Sequence, residues 1–376
     1  MTVIKGHILT PTGFVLGALT VDDAGRVAQV TGQPVSEARV FDGALPIVIP
    51  GFIDLHVHGG GGSDVMDGGD AIATVASQHA QHGTTSLLGT TMTAPMEDLE
   101  LAFAGLASAC TTRAPRSARV LGVHLEGPYI NDEKLGAQPD FARPVKATEL
   151  KHLNDLAPIR LITLAPEVPG NMDVIASLVQ AGYRVQIGHT LASYDEAVQA
   201  MGKGANGFTH LFNAMTGLHH RKPGAVGAAL AHAQYAEIIP DLVHVHPGAI
   251  RVALRAIPHL YCVTDSTAAA GMPDGEYQLG RQTVTKCMGG VRLADGTLAG
   301  STLTMDQALR NLVHSMGLGL IDASRRVSTN AANYVGASDR GRLHAGAWAD
   351  LVLLDRDLNL TDVYIEGKSI EHAHAG

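Results

Sequence analysis

From Ile47 to Thr264 the chain repeats one unit, a short apolar run followed by a stretch with helical spacing. The apolar runs are Ile47–Val57, Thr85–Thr90, Arg119–Leu125, Ile159–Ala165, Arg184–Gly188, Gly207–Phe212, Glu237–Val243 and Leu260–Thr264. Helical patterns fall between them at Ala71–His82, Met96–Cys110, Met172–Ala181, Tyr194–Met201 and Pro247–Ala256. Strict alternation of this kind predicts a parallel sheet, because each strand must be reached by a crossover. Eight units favour closure into an α/β barrel of the (β/α)₈ TIM type. A doubly wound open sheet is the alternative, but no G-x-G-x-x-G follows the first run.

The two ends of the chain read differently. Residues 1–48 are short β-like pieces such as Gly13–Val21 and Gly25–Val30, and Ala349–Leu354 and Asp362–Gly367 near the C-terminus resemble them. The expectation is one small β domain built from residues 1–48 and 343–376 beside a catalytic barrel over 49–342. Two stretches, Tyr129–Lys146 and Ala268–Ser301, are too long for ordinary connections. In a barrel both lie on the rim at the strands' C-terminal ends, where insertions build substrate pockets.

The 376 residues and 45% hydrophobic content can fill one large core and a small one. A formal charge of -9 with no long basic run argues against a nucleic-acid partner or an anionic membrane surface. Cys110, Cys262 and Cys287 are odd in number and far apart, which favours a reducing compartment over a disulfide framework. No signal-peptide pattern opens the chain and no apolar run is long enough to span a bilayer, so a cytoplasmic location is expected.

The polar residues gather at the strand ends. In Pro50-Gly-Phe-Ile-Asp-Leu-His-Val-His58 the two-residue period of a strand puts Asp54, His56 and His58 on one face. Taken alone, that pair of histidines suits a metal ion or two backbone carbonyls equally well. The other strand ends carry His124 and Glu126, His189, His210, His244 and His246, and Asp265. Histidines and carboxylates converging on one rim make a ligand set for zinc, iron or manganese. His124, two residues before Glu126, is expected behind the ligands. His79, His82, His232, His259, His372 and His374 are read as structural or solvated, and Cys262 as packing.

The segments His124–Pro128 (H-L-E-G-P), Leu164–Glu167 (L-A-P-E), Gly188–Thr190 (G-H-T), Thr209–Met215 (T-H-L-F-N-A-M), Val263–Asp265 (V-T-D) and Leu298–Met305 (L-A-G-S-T-L-T-M) belong together with P-G-F-I-D-L-H-V-H-G. In this order and spacing they resemble the N-acetylglucosamine-6-phosphate deacetylases of the amidohydrolase superfamily, from about Pro50 to the end. The resemblance implies a distorted (β/α)₈ barrel with a small β-sandwich from both termini. It implies that Glu126, His189 and His210 hold the main metal. His56 and His58 would supply a second site bridged by Glu126, although some relatives lack that pair and use one metal. Zinc is the first expectation, with iron, manganese or cobalt as alternatives, one or two per subunit. Asp265 matches the family's acid/base.

For the substrate, an amino-sugar phosphate, the resemblance places Arg221 and His244 on the phosphate. It places Asn213 and Ala214 on the sugar or phosphate, and Asp241 beside the sugar. Ala137, Gln138, Leu298, Ala299 and Gly300 match contact loops. One phosphate group can come from a partner subunit in the family, which implies a homodimer. The chain departs from the family pattern at Asp241-Leu-Val-His244, at Lys222 after Arg221 and at His246. Those departures bear on the choice between glucosamine and galactosamine epimers. Rival readings are another amidohydrolase acting on a cyclic or acyl amide, a deaminase, or a metal-free scaffold. The run Leu161–Glu167 has no lysine to carboxylate as a bridge, and no expected ligand is missing.

Overall fold

The computed structural model describes residues 1–42 and 44–370, so His372 and His374 lie outside the described residues. The chain is a distorted (β/α)₈ barrel carrying a small β-sandwich made from both termini. Six parallel strands form one curved sheet in the spatial order Gly207–Phe208, Arg184–Ile187, Ile159–Leu164, Arg119–Glu126, Thr84–Thr91, Phe52–Val57. Glu237–Ile238 and Tyr261–Cys262 pair separately, also in parallel. Single hydrogen bonds close the ring. Leu211 N–H donates to Glu237 O at 3.0 Å, Asp265 N–H to His56 O at 2.9 Å, and His58 N–H to Ser266 O at 2.9 Å.

The last three strands are much shorter than the sequence implies. Phe212 and Ala214 after the sixth strand, Leu242 after the seventh and Asp265 after the eighth adopt positive φ, which bends the backbone out of the sheet. The first expected strand is two strands. Ile47–Pro50 pairs with Leu351–Leu354 in the terminal sheet, and Phe52–Val57 enters the barrel. The chain crosses between the sheets at Gly51, where a Cβ would lie 2.2 Å from the side chain of Thr85. Asp54 clips the barrel shut. Its carboxylate accepts from the Thr264 hydroxyl at 2.6 Å and from the Thr264 N–H at 3.2 Å.

The terminal sheet runs Lys368–Ser369, Leu360–Ile365, Leu351–Leu354, Ile47–Pro50, Thr2–Thr10, Gly13–Val21, Val27–Pro34. Ile4, Ile8, Leu19, Val27, Val48 and Leu351 form its own apolar cluster, apart from the barrel core. Each such side chain taken out of water contributes about 1.5–3 kcal/mol. Ser193 and Glu196 form a reciprocal capping box on Tyr194–Gly202, and Pro247 opens Pro247–Ala256 behind a capping His246. The insertion at 268–301 folds into a three-stranded antiparallel sheet, Gly275–Leu279, Gln282–Cys287 and Gly290–Arg292. No helix among the described residues is long and apolar enough to cross a membrane.

Candidate metal centre and substrate pocket

Strand periodicity aims His56 and His58 into the barrel mouth, and a different device positions the other ligands. His189, His210 and Asp265 all have positive φ, at 47°, 28° and 50°. Non-glycine residues in this region are uncommon, and they cluster where a site holds them. Here the turn at each strand end swings the side chain over the barrel axis.

Glu126 stands at the centre, 1% exposed. Its Oε1 lies 3.1 Å from His189 Nε2 and 3.0 Å from His210 Nε2. Its Oε2 lies 3.1 Å from His58 Nε2 and 3.4 Å from His56 Nε2. One carboxylate thus divides its two oxygens between two histidine pairs. Asp265 Oδ1 faces the first-strand pair, 3.3 Å from His58 Nε2 and 3.4 Å from His56 Nε2. Among the described residues three clusters could hold an ion: Glu126, His189 and His210; His56, His58 and Asp265; and His56, His124 and Glu237.

The proton positions test the fit to a metal. His189 Nδ1–H donates to Lys134 O at 2.8 Å, His58 Nδ1–H to Thr90 O at 3.2 Å, and His56 Nδ1–H to Glu237 Oε2 at 3.0 Å. Each ring therefore turns an Nε2 lone pair inward. The Nε2 atoms of His56 and His58 are 3.1 Å apart, as are those of His189 and His210. Two lone pairs so close repel unless a cation lies beside them. Tetrahedral ligands about 2.0–2.1 Å from zinc sit about 3.3 Å from one another. The residues present therefore fit a divalent metal, and the outer acceptors that fix the tautomers of His56, His58 and His189 are the usual support for one.

Electrostatics agree. Burial alone would raise the Glu126 carboxyl, but His56, His189 and His210 outweigh it and hold it well below the usual carboxylate range. Burial likewise opposes ionisation of Asp265, yet His56 and His58 bring its pKa down. Burial opposes charge on His58, but Asp265 and Glu126 lift it to about 9. The cluster attracts positive charge, as proton or metal. His124 behaves otherwise. Burial and the neighbouring His56 hold it well below the usual range, and its Nε2 lies 2.8 Å from Thr163 Oγ1. It is a neutral ring packed edge-on behind His56, as its position before Glu126 implied.

Above the cluster lies a pocket of about 360 Å³. Ala137, Gln138, Asn213, Ala214, His244, Leu298 and Gly300 line it beside His58, Glu126, His189, His210 and Asp265. Gln138 is locked in place, taking the Thr93 N–H at 2.6 Å and donating to Glu126 Oε2 at 2.6 Å. Asp241 is not in the lining. It grips His244 from behind, accepting from Nδ1–H at 2.6 Å. Burial works against charge on His244, but Asp241 outweighs it and raises its pKa. Gly300 packs against the backbone of Asp265, where a Cβ would meet Asp265 O at 2.8 Å. Ala299 is fully buried and does not line the pocket.

The sequence profile of the Amidohydrolase family matches residues 47–370. The chain belongs to the amidohydrolase family. Among amidohydrolases of known activity it is 38% identical over 351 residues to the N-acetylgalactosamine-6-phosphate deacetylase of Escherichia coli O157:H7, 92% of each chain. It is 37% identical over 353 residues to the N-acetylglucosamine-6-phosphate deacetylase of Lysinibacillus sphaericus, covering 92% of this chain and 91% of that one. The crystal structure of N-acetylglucosamine-6-phosphate deacetylase from Thermotoga maritima superposes with a TM-score of 0.90 at 31% identity, over 98% of this chain and 99% of that one. A mutant of the Mycobacterium smegmatis enzyme, in complex with N-acetyl-D-glucosamine-6-phosphate, gives 0.89 at 34% identity, over 98% and 99%.

Within this amidohydrolase the expected ligands and Asp265 come together, and Arg221 does not join them. It is exposed, on a tight turn closed by His219 and Lys222, with its Nη1 2.8 Å from His220 Nε2. The strand Ile159–Leu164 offers no lysine. Sequence reading passed over Glu133, Lys134, Met92, Leu279 and Thr297, which also line the pocket. Four of them lie in the two long insertions, which flagged the region but not the side chains. It also passed over Glu237, buried beneath His56. An acidic residue opening an apolar run was the available signal.

Proposed function

We propose that this chain hydrolyses the acetamide of N-acetylglucosamine 6-phosphate, releasing acetate and glucosamine 6-phosphate. The observation that carries the reading is the division of Glu126's two oxygens between two histidine pairs, with Asp265 facing the same space. The closeness to deacetylases of amino-sugar phosphates supports the substrate class.

Glu126, His189 and His210 would hold the main divalent ion, with His56 and His58 offering a second position. Bound there, the ion supplies Lewis acidity that acidifies a water and polarises the amide carbonyl. Nitrogen and carboxylate donors suit zinc first, then iron, manganese or cobalt. Asp265, kept ionised, accepts a proton from the attacking water as the new C–O bond forms. It passes that proton to the amide nitrogen as the C–N bond breaks, so the amine leaves neutral. General acid–base help of this kind is worth about 10²–10⁴ in rate.

In the same reading His244, charged through Asp241, meets the phosphate, and Asn213, Ala214, Ala137, Gln138, Leu298 and Gly300 shape the sugar site. Arg221, exposed on its turn, reaches the phosphate in a partner's pocket, which makes the working unit a homodimer. Three free cysteines and a phosphorylated substrate favour the cytoplasm.

The test is amine release from N-acetylglucosamine 6-phosphate, its galactosamine epimer and unphosphorylated N-acetylglucosamine, with added zinc. Fast release from the first alone is expected. Preference for the epimer would transfer the activity to the galactosamine series, and release from none of them would overturn the reading.

A further inference from the structure

A second pocket, of about 320 Å³, lies beside Pro50, just ahead of the first barrel strand. His56 and His58 close that strand's other end, so this pocket is remote from the metal cluster. Three parts of the chain share it: the turn at Thr10 and Pro11, the helical run containing Ser324 and Thr329, and the link at 342–344.

Its lining is basic. Arg325, Arg342 and His344 face it, and no carboxylate does. In a chain with a formal charge of -9, an acid-free pocket with two guanidinium groups departs from its surroundings. The Arg325 side chain makes no hydrogen bond or ion pair among the described residues. Arg342 is tethered by Nε to Arg340 O at 3.1 Å and by Nη2 to the Asn333 amide oxygen, and neither neutralises it. Ser324, 1% exposed, also lines the pocket, and its hydroxyl has no partner. The helix changes register here, with a π-helical turn over Arg325–Thr329, a feature frequent at functional sites. Leu9, Pro11, Ile321 and Leu343 supply apolar wall.

We propose that this pocket binds a small organic anion, a carboxylate or phosphate ester on an apolar body. Guanidinium forks match either group with paired hydrogen bonds, and the free Ser324 hydroxyl adds a donor. The apolar wall takes the body of the ligand. An occupant would touch both the terminal sheet and the barrel helices, so it would stabilise their assembly and raise the melting temperature.

The test compares the zinc-loaded parent protein with an Arg325→Ala/His344→Ala double variant, by thermal melting in inorganic phosphate and in benzoate. Both substituted residues are exposed, and the catalytic pocket is the same in both proteins, so its own anion binding cancels. The parent should melt progressively higher with at least one anion, and the variant should lose at least half of that rise. Turnover without added anion should be equal in the two. The anion with the larger effect separates phosphate from carboxylate. An equal rise in both proteins, or none in the parent with either anion, would overturn the proposal. Should the double variant fail to fold, Arg325→Gln read the same way decides it.

Discussion

Glu237 accepts the Nδ1–H of His56 at 3.0 Å, and the same oxygen takes the backbone N–H of His210 at 3.1 Å. One buried acid therefore braces both halves of the metal cluster. Its other oxygen lies 3.4 Å from the Tyr261 hydroxyl, which is also 2.6 Å from Gln186 Nε2. Losing such an outer partner typically costs about 10–100-fold in metal affinity. Glu237→Leu should weaken zinc binding by that order, measured by competition with a chromogenic chelator. Glu237→Gln keeps an oxygen for both N–H groups and should lose less. Equal affinity in parent and Glu237→Leu would leave the acid without a role at the metal.

Asp265→Asn should retain zinc and substrate binding and lose about 10²–10⁴ in kcat, the size of the proton-transfer contribution. The amide still fills the space but cannot accept the proton. Equilibrium dialysis of substrate beside steady-state kinetics separates the two effects. Near-parental turnover would remove Asp265 from the chemistry.

The exposed position of Arg221 yields a sharper test than its simple removal. Arg221→Ala and Asp265→Asn subunits should each be nearly inactive on the phosphorylated sugar. Mixed and reassembled, they form hybrids in which one site has its own Asp265 and the partner's Arg221. Activity should return to a fraction approaching half of the parent per hybrid. If mixing restores nothing, Arg221 does not act across subunits.

His244→Ala should raise KM for the phosphorylated substrate and spare the unphosphorylated one. Truncating one member of a buried charge pair costs about 2–5 kcal/mol, or about thirty-fold to several thousand-fold. An equal change with both substrates would move His244 away from the phosphate.

Acid stability has its own source, at the join between the terminal sheet and the barrel. Glu366 receives Arg119 at 2.9 Å, Arg113 at 3.1 Å and Arg340 at 2.6 Å. Burial pushes its carboxyl up, but Arg119 and Arg340 outweigh that and bring it from 4.5 down to about 2. A folded-state pKa below the unfolded one gives stability that is complete above pH 4.5 and drains away as the pH falls towards 2. Glu366→Gln should be less stable at neutral pH and show a flatter loss across that window. Denaturant melts at several pH values would reveal it, and parallel slopes for the two proteins would refute it.

Much of this was legible in the chain before folding. Side-chain direction along a single strand is a local property, so two-residue spacing alone put His56 and His58 on one face. The alternation of apolar runs and helical spacing is equally local, and it specified the barrel. Motif order named Glu126, His189, His210 and Asp265.

Long-range geometry decided the rest. Glu237 meets His56 across 181 positions, because ring closure turns the seventh strand and the first toward the same barrel interior. Nothing local records that register. The left-handed turns at His189, His210 and Asp265 exist because neighbouring strands hold them against their own backbone preference. Arg221 sits on a tight turn and does not line the pocket, although the family resemblance implied a place at the phosphate. Local spacing determines which way each residue points, and packing between distant segments determines what it meets there.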